Sequence, residues 1–226
     1  MSFNEIDLKK PCFIFGAGGH AHVVIDAALC SKKNILSILD DYPRKPEIFG
    51  IPIVSSNDNS WIPSSSWSFV VAIGDNYTRA KIFKSMHSLG GELCNVVHPT
   101  SIISKRCYIG TGCVVLAGSI VNPEARVGTN VILNTGSTVD HHCQIGDHVH
   151  ICPGVNLAGN VTIGEFSMIG TGAVVKPGVT IGYNCIVGAG AVVVRDLPDH
   201  SISSGVPAKV IRYQKVDPLR KEDEQN

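Results

Sequence analysis

The chain of 226 residues has no charge excess of either sign. Lys plus Arg total 19, Asp plus Glu total 19, and the formal net charge is zero. A chain so balanced lacks the basic surplus that a phosphate backbone selects, so no nucleic-acid partner is expected. Long apolar runs are also missing. No stretch approaches the ~20 residues of a membrane-spanning helix. Residues 1–10 (MSFNEIDLKK) do not resemble a secretory leader. The reading is a cytoplasmic protein with no membrane partner. Its eight cysteines form no CxxC pair, which removes zinc-ribbon and thioredoxin-like readings and favours reduced thiols. Aromatics are scarce at 6%, against 23 glycines. A core so poor in rings must be built from small and branched aliphatic side chains.

What the chain does have is a period. From Val97 an aliphatic residue returns at every sixth position (Val97, Ile103, Ile109, Val115, Val121, Val127), unbroken to Val193. Four residues after each, from Ile109 onward, stands a small or β-branched residue such as Cys113, Ser119, Ala125 or Val131. This spacing fits neither a 3.6-residue helix nor a two-residue strand alternation. It fits a solenoid with three short flat sides per coil, the aliphatic pointing inward and the small residue at a tight corner. Gly110, Gly128, Gly146, Gly164, Gly170 and Gly182 follow the aliphatic directly. They are expected to supply the unusual φ that a corner needs. About five to six coils at the strand spacing make a prism roughly 25–30 Å tall.

Ahead of the repeat, Cys12–Phe15 is an apolar run that meets Gly16-Ala17-Gly18-Gly19-His20-Ala21 and then an aliphatic periodic stretch. That order reads as strand, tight turn and helix start, where exposed N–H groups favour an anion. A second strand, Ile35 to Leu39, ends in Asp40-Asp41, and a third, Trp67 to Ile73, runs into Gly74-Asp75-Asn76. Ligands of parallel sheets gather at the C-terminal ends of strands, so three loops converge on one crevice. The competing reading is that these aspartates cap helices or shape turns. The space suffices for one βαβαβ half, which suits a mononucleotide or sugar nucleotide better than NAD. Three units result: 1–95, an α/β Rossmann-like half domain; 96–197, the all-β parallel β-helix; and 198–226, a C-terminal turn and tail, the part from 213 frayed or a short helix.

FGAGGHA (15–21), LDD (39–41), AIGDN (72–76) and the unbroken repeat together resemble the hexapeptide-repeat sugar-nucleotide acyltransferases. This family includes sialic acid O-acetyltransferase and the UDP-4-amino-sugar N-acetyltransferases of bacillosamine-type pathways. The resemblance runs from Phe13 to about Arg212 and is strongest from Val131 to Thr135 and from Val139 to Cys143. It implies a left-handed prism, a homotrimer, and acetyl-CoA as co-substrate in a groove between neighbouring prisms. It implies a nucleotide sugar held by Gly18, Gly19, His20, Asp40, Asp41 and Gly74, with uridine favoured, and a role in bacterial surface glycan or glycoprotein sugar synthesis. By the same resemblance His141 is the general base and His150 contacts acetyl-CoA. Gly170, Thr171, Gly188 and Ala189 line the CoA groove, with Lys209 and Arg212 near its phosphates. In one place the chain departs from the family. Where relatives carry a glutamate beside the catalytic histidine, this chain has His142, leaving Asp140 as the nearest carboxylate to modulate the base.

The register agrees with an outward role for both histidines. His141 lies two residues beyond the inward Val139 and His150 one before the inward Ile151, so both are expected on the outer surface or in a subunit cleft. A neutral imidazole is suited to taking a proton near neutral pH. A zinc site from His141, His142, His148 and His150 is not expected, because their spacing gives neighbouring coil positions rather than a tetrahedral pocket. Three functions stand at this point: N-acetylation of a 4-amino sugar nucleotide, O-acetylation of a sialic-acid-like sugar, and a non-catalytic sugar-nucleotide-binding scaffold.

Overall fold

A computed structural model describes residues 10–57, 59–63 and 66–214. The N-terminal unit runs β1 (Cys12–Phe15), α1 (Gly19–Cys30), β2 (Ile35–Asp40), β3 (Glu47–Ile48), β4 (Ile51–Ser55), β5 (Ser68–Val71), α2 (Asn76–Ser88) and β6 (Glu92–Leu93). The strands form one sheet in the order β3-β4-β2-β1-β5-β6, parallel except where β3 meets β4. Both faces of this sheet are covered, so β1 and β5 are buried along their whole length rather than at alternate residues. Phe13 and Phe15 join an aromatic layer with Trp67, Phe69 and Met86, while Ile14 joins Val24 and Ile25 of α1 on the opposite side.

From Val96 the chain winds as a three-sided prism. Its first face stacks the strand pairs from Val96–Val97 to Ile186–Val187, its second those from Ile102–Ile103 to Val192–Val193, and its third those from Tyr108–Ile109 to Thr180–Ile181. Every pairing within a face is parallel and joins residues one coil apart, as Ile132 with His150 and Thr138 with Asn156. The inward aliphatics form one continuous core, with Leu133, Ile151, Leu157 and Ile163 essentially without solvent exposure. Each such side chain contributes roughly 1.5–3 kcal/mol by burial.

The corners differ from the sequence expectation. From Ile109 to Val187, positive φ falls on the third residue after the inward aliphatic, as at Gly118 (69°), Glu124 (62°), Asn130 (55°), Gly136 (64°), His142 (60°) and His148 (60°). Glycines directly after the aliphatic serve another purpose. A Cβ on Gly146 would lie 2.7 Å from the backbone nitrogen of Glu165, and one on Gly164 would lie 2.5 Å from the carbonyl carbon of Gly182. Their smallness lets the next coil pass, and does not supply an unusual φ.

The two units share a core. α1 packs on the outer side of the first face, where Val96, Val114, Leu116 and Ile132 join Val24, Ile25 and Ala28. Beyond the last full coil, Ser201–Ser204 adds in parallel to Ile186–Val187 and then pairs antiparallel with Lys209–Tyr213. A hairpin therefore stands where a turn and tail were expected from 198 on. The remainder of that tail, 215–226, lies outside the described residues.

Candidate active site

The glycine turn lies at the C-terminal end of β1 beside the first face of the prism, the place of the expected crevice. Gly16 is the member the fold itself requires: its φ is +107° and a Cβ there would lie 3.0 Å from Ile73. Gly18 and Gly19 are different, since a Cβ on either would meet nothing within 4 Å. The space before the N-terminus of α1 is therefore open, with backbone N–H groups directed at it. Asp40 ties this turn to the end of β2: its carboxylate accepts from the Ala17 N–H (2.9 Å) and from the Tyr42 N–H (2.9 Å). Asp41 accepts from the Ser56 hydroxyl at 2.5 Å. Asp75 caps α2, accepting from the Thr78 N–H at 2.8 Å. The turn-shaping reading of these aspartates is thus met within the chain.

His20, Gly74 and His150 come together on the floor of this crevice. The rings of His20 and His150 lie 5.9 Å apart. His150 was expected to stand outward, but it is only 8% exposed, because the first face of the prism is covered here by the N-terminal unit. Its Nδ1 lies 3.2 Å from the Gly74 carbonyl and its Nε2 lies 3.1 Å from Asn134 Nδ2. A carbonyl can only accept, so Nδ1 carries the proton and Nε2 accepts from the amide. Burial, and next the nearby Arg79 charge, lower the pKa of His150 to about 3 and that of His20 to about 4. Both imidazoles are neutral near pH 7. His20 Nε2 is buried without a hydrogen-bond partner among the described residues.

His141 stands elsewhere, at the corner between the second and third faces. In a three-sided prism this corner is the one opposite the first face. Its ring lies over Gly159, where a Cβ would come within 2.4 Å of His141 Cε1. Nδ1 is 3.1 Å from Nδ1 of His142, while among the described residues nothing hydrogen-bonds Nε2. The Asp140 carboxylate accepts from the main-chain N–H of His141 (2.7 Å) and from Asn122 Nδ2 (2.8 Å), so it does not hold the ring. Those bonds, the first above all, keep the Asp140 carboxyl below its ordinary pKa.

Gly170, Thr171, Gly188 and Ala189 lie on the corner between the first and second faces. Gly170 is required there by stacking, since a Cβ would lie 2.4 Å from the Val187 carbonyl oxygen. Lys209 is exposed at the start of the last strand. An open groove of about 420 Å³ crosses the third face between Tyr108, Arg126, Gln144 and Glu165, and none of the residues expected for CoA lines it.

Three residues here were missed by the sequence reading. Gly159 lies eighteen residues after His141, one coil on, so the period itself marks it. Asn134, the partner of His150 sixteen residues before it, lies on the neighbouring coil. Arg79, inside α2, carries none, because a lone arginine in a helix reads as a solvated side chain.

Comparison with known proteins shows the family to which the chain belongs. Residues 12–86 match the PglD N-terminal domain, and residues 160–195 match the bacterial transferase hexapeptide (six repeats). PerB from Caulobacter crescentus, solved in complex with CoA and GDP-perosamine, is 40% identical; the match covers 90% of this chain and 98% of that one, with a TM-score of 0.84. The acetyltransferase domain of PglB from Neisseria gonorrhoeae, in complex with acetyl coenzyme A, is 38% identical over 89% of this chain and 99% of that one, also with a TM-score of 0.84. A UDP-N-acetylbacillosamine N-acetyltransferase from Bacillus subtilis is 35% identical over 114 residues, 48% of this chain and 52% of that protein. The match thus spans about half the length of this curated relative.

Proposed function

Because this chain belongs to the hexapeptide-repeat sugar-nucleotide acetyltransferases, we propose that it transfers acetyl from acetyl-CoA to the 4-amino group of a nucleotide-linked sugar, with His141 as general base. The observation that carries the reading is the state of the His141 ring. It is seated on Gly159, with Nδ1 bonded to His142 and Nε2 unengaged. With the proton on Nδ1 donated to His142, the lone pair sits on Nε2, as a base requires. His142 supports this tautomer when its own Nδ1 is the acceptor, and it supplies no carboxylate charge.

In the proposed step the sugar amine attacks the thioester carbonyl, and His141 Nε2 takes the amine proton as the C–N bond forms. A backbone N–H stabilises the oxyanion. The C–S bond then breaks, and CoA leaves as a thiolate that recovers the proton from His141. The products are an amide and free CoA thiol.

The geometry also supports a trimer with shared sites. The nucleotide crevice lies on the first face and His141 at the opposite corner, so one chain does not bring the two together. The second face lies between His141 and the corner with Gly170 and Gly188. It presents Ile102 (65% exposed), Ile120, Val174 and Val192 outward. Three chains with their second faces around a common axis set the His141 corner of one beside the Gly170 corner of the next. Acetyl-CoA then lies between prisms, and the sugar reaches His141 from the neighbouring subunit's crevice.

The nucleoside is read by the N-terminal unit. One relative's name carries UDP, and a solved relative holds GDP-perosamine. A panel of UDP-, GDP- and dTDP-linked amino sugars with acetyl-CoA, read by mass spectrometry, identifies the acceptor. In the same assay His141→Ala is expected to lose about 10²–10⁴-fold in CoA thiol release. Unchanged turnover would sink the role given to His141.

A further inference from the structure

Arg79 is fully buried in α2, facing the prism rather than solvent. Its guanidinium reaches three parts of the molecule at once. Nη1 donates to the carbonyls of Ile73 (3.1 Å) and Gly74 (3.2 Å), at the end of β5. Nε donates to the Asn130 carbonyl (3.1 Å) and Nη2 to the His148 carbonyl (2.6 Å), on neighbouring coils at one prism corner. Nη2 also donates to Asn76 Oδ1 (2.8 Å), and the Asn76 amide in turn donates to the Phe166 carbonyl (2.8 Å). The Gly74 carbonyl is shared, since His150 donates to it as well.

We propose that Arg79 is a positioning residue for the nucleotide-sugar crevice, setting the Gly74 loop against His150 and so fixing the floor on which the sugar nucleotide rests. Three features set this apart from a simple clamp between units. The guanidinium bonds the loop carbonyl that also fixes the His150 tautomer, so a shift of Gly74 moves His150 with it. A planar fork holds five N–H directions fixed, whereas an ammonium on the same stem would satisfy at most three. The apolar contact between α1 and the first face already joins the two units without Arg79. Its nearby positive charge further favours the uncharged forms of His20, His148 and His150.

The inference rests on the proposed function, and its test separates the two. Wild type, Arg79→Lys and Met86→Ala are compared, the last a truncation in the aromatic layer of the N-terminal unit that serves as a control for stability. Arg79→Lys is expected to raise KM for the nucleotide sugar about tenfold or more, with KM for acetyl-CoA within about twofold. Met86→Ala is expected to lower the melting temperature with neither KM changed. Equal rises in both KM values, or a melting shift alone in Arg79→Lys, would overturn the inference. Calorimetry with UDP and GDP covers the functional reading: a wild type that binds neither and transfers no acetyl group removes both ideas together. Long-range ¹H–¹⁵N spectra of the wild type are a second measurement, independent of whether the variant folds. They are expected to show His150 neutral and protonated on Nδ1 at pH 6, and an Nε2–H or charged ring would defeat the proposal.

Discussion

At the scale of single residues, the proposed chemistry depends on a missing side chain. His141 lies where it does because residue 159 has no Cβ, and any substituent there strikes the imidazole. Gly159→Ala is expected to lower kcat by about tenfold or more, since a base displaced by an ångström loses its alignment. The melting temperature should move little, as the ring is at the surface. Retained kcat would show that His141 does not need this seat. His142 offers the complementary experiment. Its φ of 60° already carries a Cβ in the left-handed region, so His142→Glu changes charge more than backbone. A carboxylate there stabilises the imidazolium form of the base. The acid limb of the pH–rate profile should then move to higher pH, with kcat above that limb up about two- to tenfold. An unmoved limb would show that residue 142 is not coupled to the base.

At the scale of elements, the contact between α2, the Gly74 loop and the prism corner is where acid acts. His20 and His148 are lowered to about 4 and His150 to about 3, burial being the larger cause and Arg79 the next in each case; Asp147 opposes the shift at His148. Their unfolded pKa is about 6.5, so below it the unfolded chain binds more protons than the folded one. This contribution to stability is complete above about pH 6.5 and is lost as pH falls toward 4. Melting temperatures should hold between pH 7 and about 6.5 and fall from there to pH 4.5. A flat profile, or imidazoles titrating near 6.5 by NMR, would contradict it. The elements also show what a sequence can and cannot reveal. Every inward aliphatic from Val97 to Val193 was legible, because one period fixes the register of all of them. The left-handed corners were not, because Gly, Asn, His, Phe and Glu all occupy them and no residue type marks the position. Burial of His150 was hidden for a related reason: periodicity tells inward from outward, but says nothing of what covers an outward face.

At the scale of the whole molecule, the separation of His141 from the His20–Gly74 crevice makes a prediction that no single chain can meet. If each site joins the crevice of one subunit to His141 of the next, two inactive variants should complement each other. Mixing His141→Ala with Gly74→Trp subunits and refolding them together should restore about a quarter of wild-type activity. Three-quarters of randomly assembled trimers are mixed, and each of those holds one intact site of three. No recovery, in material that sediments as a trimer, would place both halves of the site within one subunit. The motifs that suggested this division, the glycine turn and the histidine of the repeat, were visible in the sequence. Their placement on opposite sides of the prism follows only once the faces are assigned.

The hairpin at the end of the prism bears on a different hazard. A parallel stack is open-ended, since its last coil offers a full row of N–H and C=O groups to any strand that arrives. Here Leu197 pairs with Ile181, Gly205 accepts from the Val192 N–H (3.0 Å), and Lys209–Tyr213 runs against its neighbour. The reversed strand presents a hydrogen-bonding row of the wrong phase for a further parallel coil. With that end closed, prisms of this chain are poor units for end-to-end growth into a fibre.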